Sequence, residues 1–505
     1  MTANFRARSF WLLLLAGLFL RCVALNQPLL DAHLLRQCQT AAATQSLIEQ
    51  PGFPLSSSIP WLADDTARYI QELPLYNYLA IGVFRLTGQL DLSGKVVSIL
   101  LWALSFFLLQ AIWRRLLEPR PTVWANVLFV AAPLSVFYGQ AFMPEMLVQA
   151  LALGFVVLLL RYEEKPTLAR WAACAGIGLV GLLVKLPEVA HLYLILMALI
   201  WRREGWKGAL QPRYLVAGLL SAVALKAWGG YVDAVNRADL PEWTSQETLS
   251  GFIGPVSLRF QAKPWVMIAL YLGAFVVTGP AALAAAWGLR VYLRAKTAGF
   301  LGLWLLSLVV FYVLWLGNGG AAQSYYNLPA LVPLCALFGI GLQAILSTEK
   351  LALWPRSAAT VAALLLAVSV APVIAYLFRQ DRTIYAAAQW VRTHTAPGEV
   401  VLFRPQHRYD MTDYPFNPVP AYYSGRRTFV WAGTTSEPKR EWALTQARRP
   451  IVTLPPAPPT GLVAKVQKWR GAGLRALPSL DWLGTAGFAK QTQGEVFVIY
   501  ERSEP

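Results

Sequence analysis

Apolar runs long enough to cross a bilayer recur along the chain near residues 9–25, 93–112, 122–138, 144–160, 168–186, 214–230, 264–287, 298–316, 327–346 and 357–378, with a shorter run at 188–201. A span of roughly 17–25 apolar residues can satisfy its own backbone hydrogen bonds in lipid as a helix, so the pattern predicts about eleven transmembrane helices. The first run is too long, and too poor in small residues at its end, for a removed signal peptide, and it reads as a signal anchor. After about residue 379 no run is long enough to span. There the pattern changes to helical spacing over Ile384–Thr395 and to strand runs at Glu399–Phe403, Pro450–Leu454 and Glu495–Tyr500, while Pro455–Pro459 forms a stiff turn. The expected fold is mainly α, with a transmembrane helical domain over 1–378 and a soluble α/β domain over 379–505.

Composition agrees with this reading, since 56% of residues are hydrophobic and 14% charged, and the mean hydropathy is +0.45. The net charge of +17 would otherwise suggest a nucleic-acid partner. Its distribution says otherwise. Arg6 and Arg8, then Arg114, Arg115 and Arg120, then Arg161, Lys165 and Arg170, then Arg202, Arg203, Lys207 and Arg213, then Arg290, Arg294 and Lys296, then Lys350 and Arg356 fill alternate short loops, which marks those loops as cytoplasmic. Segment 26–92 is instead acidic, with Asp31, Glu49, Asp64, Asp65, Glu72 and Asp91 against Arg36, Arg68 and Arg85. The expected topology is a multi-pass membrane protein with a cytoplasmic N-terminus. Loops 26–92 and 231–262 and the C-terminal domain lie outside.

The chemistry-bearing residues concentrate where the chain leaves the first span. Asp31, His33, Arg36 and Gln37 crowd together, and Glu72-Leu73-Pro74-Leu75-Tyr76 ends the same polar segment. There is no Walker-type loop and no dinucleotide fingerprint, which argues against an ATP-driven pump. Cys22, Cys38, Cys174 and Cys335 lack metal-ligand spacing; a bridge between Cys22 and Cys38 stays open, as do two separate buried thiols. His394 and His407 belong to the tail and carry no special chemistry.

The stretch Leu30-Asp31-Ala32-His33-Leu34-Leu35-Arg36-Gln37-Cys38-Gln39-Thr40-Ala41 resembles the first-loop pattern D-x-H-x-x-R-Q-x-x-T-A of bacterial family 39 glycosyltransferases. These are GT-C enzymes related to protein mannosyltransferases and the lipid A aminoarabinose transferase. Supporting pieces follow in order: Glu72–Tyr76, Pro133 through Tyr138-Gly139-Gln140-Ala141-Phe142-Met143-Pro144-Glu145, and Ser324-Tyr325-Tyr326-Asn327-Leu328-Pro329. The resemblance covers the organisation of roughly the first 380 residues. It implies inverting transfer of a sugar from a polyprenyl-phosphate carrier to an acceptor on the outer membrane face. A phosphate is already a good leaving group, so one carboxylate suffices, deprotonating the acceptor hydroxyl as it attacks the anomeric carbon.

Asp31 is the expected base; the alternative is that it caps a helix starting near Ala32. Arg36 either keeps Asp31 ionised or clamps phosphate. His33 orients an acceptor or a metal, or is a satisfied interfacial histidine. Glu72 binds acceptor or metal, or opens the helix after Pro74. Glu145, at a helix end near the bilayer, either has a binding role or interacts with the helix dipole. Lys185 either meets the carrier phosphate or pairs with Glu188. Loop 231–262 shapes the substrate cavity in such enzymes, and Arg259 is its phosphate candidate. Tyr325 and Tyr326 stack on sugar or bond phosphate, or belong to an interfacial aromatic belt. Gln323-Ser324 stands where relatives often have histidine, which weakens any metal or phosphate role there. No cofactor is fixed by these residues, and a divalent metal held by Glu72 and His33 remains open. The expected partners are the lipid-linked sugar and a lipid, glycan or protein acceptor. Two other readings are a non-enzymatic lipid or glycan transporter, which would show repeated halves, and a polymerase or ligase of lipid-linked polysaccharide.

Overall fold

The computed structural model describes residues 3–58, 68–70, 72–237, 244–295, 299–317, 323–348, 355–380, 382–405, 417–430, 449–453, 488–493 and 497–502. The chain divides into two compact units, one made of Met1–Asn26 with Ile70–Phe378 and the other of Gln27–Tyr69 with Arg379–Pro505. Segment 26–92 is expected to belong to the membrane domain. Most of that segment instead packs with residues from the tail.

The first unit is helical. Its helices are α1 (Ala3–Cys22), α3 (Leu75–Thr87), α4 (Leu90–Leu116), α5 (Pro119–Ala131), α6 (Pro133–Tyr138), α7 (Glu145–Glu164), α8 (Leu168–Ala190), α9 (Leu192–Gly208), α10 (Pro212–Asn236), α11 (Ser245–Ile253), α12 (Ala262–Tyr271), α13 (Pro280–Arg294), α14 (Phe300–Leu314), α15 (Leu328–Leu346) and a last one at Pro355–Leu377; α2 (Leu34–Glu49) belongs to the second unit. Among the described residues, six helices are long and apolar enough to cross a membrane, or seven if the bent pair Ala262–Val276 and Pro280–Arg294 counts as one span.

Several of the eleven spans read from the sequence are interrupted or short. The run 122–138 breaks at Ala132, whose φ of −54° and ψ of 130° leave the helical region because Pro133 follows and disfavours an α conformation before it. The run 264–287 bends by 109° through a π-turn at Leu272–Val276 and through Gly279, which adopts φ 50° ahead of Pro280. The run 298–316 yields a 15-residue helix.

Close helix packing depends on small residues. A Cβ on Gly288 would lie 1.8 Å from the Leu337 carbonyl oxygen, and one on Gly341 would lie 1.8 Å from that of Ala284, so α13 and α15 approach backbone to backbone. Two buried cations are also structural. The fully buried Arg21 guanidinium sits 3.6 Å from the centroid of the Trp102 ring and donates to the Gly17 carbonyl and to Ser135 Oγ, both at 2.8 Å; Trp102 Nε1 donates to the same hydroxyl at 3.0 Å. Lys95, also buried, donates to the Ala24 and Leu25 carbonyls at 3.1 and 3.3 Å, satisfying backbone acceptors just beyond α1.

In the second unit a five-stranded sheet contains β3 (Val400–Pro405), β4 (Arg427–Val430), β5 (Arg449–Thr453), β6 (Phe488–Gln493) and β7 (Phe497–Arg502) in the order β4-β3-β5-β7-β6. β3 runs parallel to β4 and β5, and the β5–β7 and β7–β6 pairs are antiparallel. Helix Thr383–His394 covers the sheet with Ala387 and Val391, which pack on Val401, Phe403, Val430 and Ile451. A short pair β1 (Ser57–Ser58) and β2 (Arg68–Tyr69) lies beyond α2. Tyr423, on helix Val419–Ser424, accepts the Leu29 backbone N–H at 2.6 Å, which fixes the chain just before Asp31. His407 and Pro455–Pro459 fall outside the described residues.

Candidate functional site

In the second unit Asp31 is buried, at 5% exposure. Helix α2 starts at Leu34, with His33 rather than Asp31 at the N-cap position. The carboxylate Oδ1 instead accepts a hydrogen bond from Gln37 Nε2 at 2.5 Å, and the same amide donates to the Ala32 carbonyl at 3.0 Å. His33 adopts φ 60°, ψ 30° and is the non-glycine residue with positive φ among those described. Left-handed backbone costs an L-residue roughly 1–2 kcal/mol, and such strain persists where the surrounding structure imposes it. Gln37, one turn into α2, therefore holds the acid in place. Gln37 belongs to the first-loop pattern, but its spacing of six residues from Asp31 carries no helical signal that would give it this role. Arg36 Nη1 donates to Gln39 Oε1 at 2.8 Å, and Gln39 in turn donates to the Tyr69 hydroxyl at 2.8 Å.

In the first unit a buried charge cluster forms around Lys185. Pro187 interrupts α8, since it has no N–H and its ring crowds the preceding turn; Lys185 takes φ −159°, ψ 93° at the break. Its ammonium lies 2.9 Å from Glu145 Oε1, at the first turn of α7, and 2.8 Å from Glu188 Oε1. The same nitrogen sits 4.4 Å from the Tyr325 ring centroid and 4.9 Å from that of Tyr326. Lys185 thus pairs with Glu188, one of its two expected roles, and also faces the two tyrosines. Glu72 lies near enough to act on this lysine electrostatically. The ammonium is shared by two buried carboxyl groups, so an anion placed there must compete with Glu145 and Glu188 for the lysine.

Tyr326 is buried and Tyr325 half-buried. Their rings are 4.5 Å apart; Tyr325 meets Tyr138 edge-on at 6.3 Å, and the Tyr138 hydroxyl is 2.9 Å from Ser324 Oγ. Tyr76, which closes the Glu72–Tyr76 piece, donates to the Gly94 carbonyl at 2.8 Å. Burial pushes its phenol well above the ordinary tyrosine range, so it remains a neutral donor. Beside the lysine a cavity of about 20 Å³ is lined by Glu145, Glu188, His191 and Trp304, with Glu145 Oε2, both His191 ring nitrogens and Trp304 Nε1 facing no hydrogen-bond partner among the described residues. That volume suits one water molecule with several polar partners.

Arg259 is occupied elsewhere. Its guanidinium donates to the carbonyls of Val313, Gly254, Pro255 and Leu314 at 2.9–3.1 Å, which ties the Val256–Phe260 turn to the end of α14. Among the described residues no three of His, Cys, Asp or Glu converge as a metal site would require; His33 and Glu72 fall in different units. All four cysteines are free thiols.

Residues 71–228 match a family model described as dolichyl-phosphate-mannose-protein mannosyltransferase. No curated protein matches the chain by sequence. Among solved structures the chain is similar to ArnT from Cupriavidus metallidurans bound to undecaprenyl phosphate, with a TM-score of 0.58 and 14% identity over 97% of each chain. It is also similar to the Archaeoglobus fulgidus oligosaccharyltransferase tethered to an acceptor peptide, with a TM-score of 0.56 and 12% identity over 89% of this chain and 69% of that one. At such identities the likeness is one of fold.

Proposed function

Starting from a multi-pass membrane chain with the GT-C glycosyltransferase fold, related over residues 71–228 to protein mannosyltransferases, we propose that it transfers a sugar from a polyprenyl-phosphate-linked donor to an acceptor hydroxyl at the outer face of a bacterial inner membrane. The observation that carries this reading is the setting of Asp31, a buried carboxylate outside the N-cap position of α2, gripped by Gln37 beside a strained His33. A lipid carrier is supported by undecaprenyl phosphate on the ArnT fold neighbour.

In this mechanism Asp31 takes the proton of the acceptor hydroxyl while its oxygen bonds to the anomeric carbon. The bond from that carbon to the carrier phosphate oxygen breaks at the same time, its electrons leave with polyprenyl phosphate, and the configuration inverts. The phosphate needs no proton to depart. Arg36 supplies a guanidinium to its oxygens, a geometry suited to two-pronged contact. Glu145, Lys185, Tyr325 and Tyr326 form the sugar-binding set, in which carboxylate and ammonium address hydroxyls and the aromatic faces stack on the ring. His33, next to Asp31, orients the acceptor, and Glu72, which acts on Lys185, belongs with the lysine cluster. In this reading the second unit, with the C-terminus, is extracytoplasmic, and the basic loops are cytoplasmic.

The test is direct. Purified protein in detergent is given a polyprenyl-phosphate-linked sugar and a hydroxyl acceptor, and free polyprenyl phosphate is measured. Its release only when acceptor is present supports the reading. Donors that bind but are never cleaved, across hexose and pentose donors alike, would replace it with a carrier-binding or transport role.

A further inference from the structure

Helix α7 begins at Glu145, in the lysine cluster, and its last turn carries a second feature of different chemistry. Glu145 and Glu163 are eighteen residues apart, about 27 Å along a helix axis at 1.5 Å per residue, close to the roughly 30 Å hydrocarbon thickness. The two features therefore sit at opposite membrane interfaces.

At this second interface a cavity of about 300 Å³ opens between α7, α9 and α10. Its apolar wall is formed by Leu159, Leu199 and Ile200, and its polar rim by Tyr162, Glu163, Arg202, Arg203, Glu204 and Tyr214. Glu163 is paired with Arg202. Glu204 accepts from Arg213 at 2.9 Å, from the Tyr214 hydroxyl at 3.0 Å and from Gln211 at 2.8 Å. Arg203 is the exception. Its guanidinium stands 3.9 Å from Glu204, 5.8 Å from the Tyr162 ring centroid, and makes no hydrogen bond among the described residues.

The count of charges gives the complement. On the rim Arg202 and Arg203 balance Glu163 and Glu204, and Arg213, outside the lining but bonded to Glu204, adds one positive charge beside the apolar wall, which matches a ligand with one negative charge and hydrocarbon attached. Trp201 and Trp206 flank the arginines and are 69% and 65% exposed, as interfacial anchors are. Their depth sets the pocket at the headgroup level. Basic pockets between helices at that level bind anionic headgroups.

We propose that this pocket is a binding site for a singly anionic phospholipid, with the phosphodiester on Arg203 and an acyl chain along Leu159, Leu199 and Ile200. The site is separate from the sugar-transfer machinery, and the proposal does not rest on it.

The experiment follows the unfolding temperature of the delipidated, full-length protein in non-ionic detergent. Added dioleoylphosphatidylglycerol, dioleoylphosphatidylcholine and inorganic phosphate are compared at equal concentration. Phosphatidylglycerol is expected to raise the midpoint by about 2–4 °C, phosphatidylcholine by less, and phosphate not at all. Arg203→Gln should abolish the difference between the two lipids while leaving the lipid-free midpoint close to that of the parent, and Arg203→Lys should keep part of it. Equal shifts from both lipids in the parent protein would overturn the proposal without reference to any variant. A shift reproduced by inorganic phosphate would make the ligand a free anion, and a full phosphatidylglycerol preference in Arg203→Gln would place the lipid elsewhere; either result would also overturn it.

Discussion

The Lys185 ammonium bonds to Glu145 at 2.9 Å across 40 residues of sequence, while Glu188 on its own helix approaches to 2.8 Å. A lysine shared by two buried carboxylates is both a stability element and the cation of the proposed sugar-binding set. The two roles are separable, because burying charge is tolerated only while each has a partner.

Replacing Lys185 by Met leaves Glu145 and Glu188 buried without a counter-charge. Breaking a buried pair from one side costs about 3–5 kcal/mol, so the unfolding midpoint should fall by several degrees in detergent. Adding Glu145→Gln to Lys185→Met should recover part of that loss, whereas sugar transfer stays impaired in both variants. A double variant no more stable than the single one would mean that the ion pair does not account for the cost.

The Arg21 site gives a prediction of packing alone. A Cβ on Gly17 would lie 2.1 Å from Trp102 Cη2, the ring on which Arg21 stacks. Gly17→Ala should therefore destabilise by about 1–3 kcal/mol, as overpacking does. Gly218→Ala, in α10 with open space around its Cα, should be neutral or slightly stabilising. Thermal unfolding of the two variants side by side checks this, and equal stability would contradict the close packing of α1 on α4.

For Arg259 the carbonyl contacts predict a structural phenotype. Arg259→Gln leaves carbonyls at both Gly254–Pro255 and Val313–Leu314 without their donor, so the yield of folded protein should drop while the KM for the lipid-linked donor stays within about twofold. A KM raised tenfold in protein of normal stability would return Arg259 to the role of phosphate ligand.

These cases show where the sequence was legible. Glu145, Lys185 and Glu188 stood out because charge within apolar runs is costly and demands a partner, and the structure puts all three together. The same argument applied to Arg21 and Lys95, which lie in or beside the runs at 9–25 and 93–112, would have found two more buried cations. Their partners are the Trp102 ring and backbone carbonyls rather than acids, so no charge pairing in the sequence pointed to them. Breaks at Ala132 and Gly279 were marked only by the prolines that follow, and hydropathy averages over them. The grouping of Gln27–Tyr69 with the tail depends on tertiary contacts such as Leu29 with Tyr423, 394 residues apart, which no local pattern records.

The measurement that bears most directly on the account is the turnover of Asp31→Asn with a polyprenyl-phosphate-linked donor and a hydroxyl acceptor. Asparagine is nearly isosteric and can still engage the Gln37 amide, so folding and donor KM should be preserved while kcat falls by about 10²–10⁴-fold, the usual loss on removing a general base. Gln37→Leu, which keeps the acid but removes the donor that holds it, should lower kcat by about 10- to 100-fold, the scale of one hydrogen bond to a charged group. Full turnover in well-folded Asp31→Asn would contradict the assignment of Asp31 as the base.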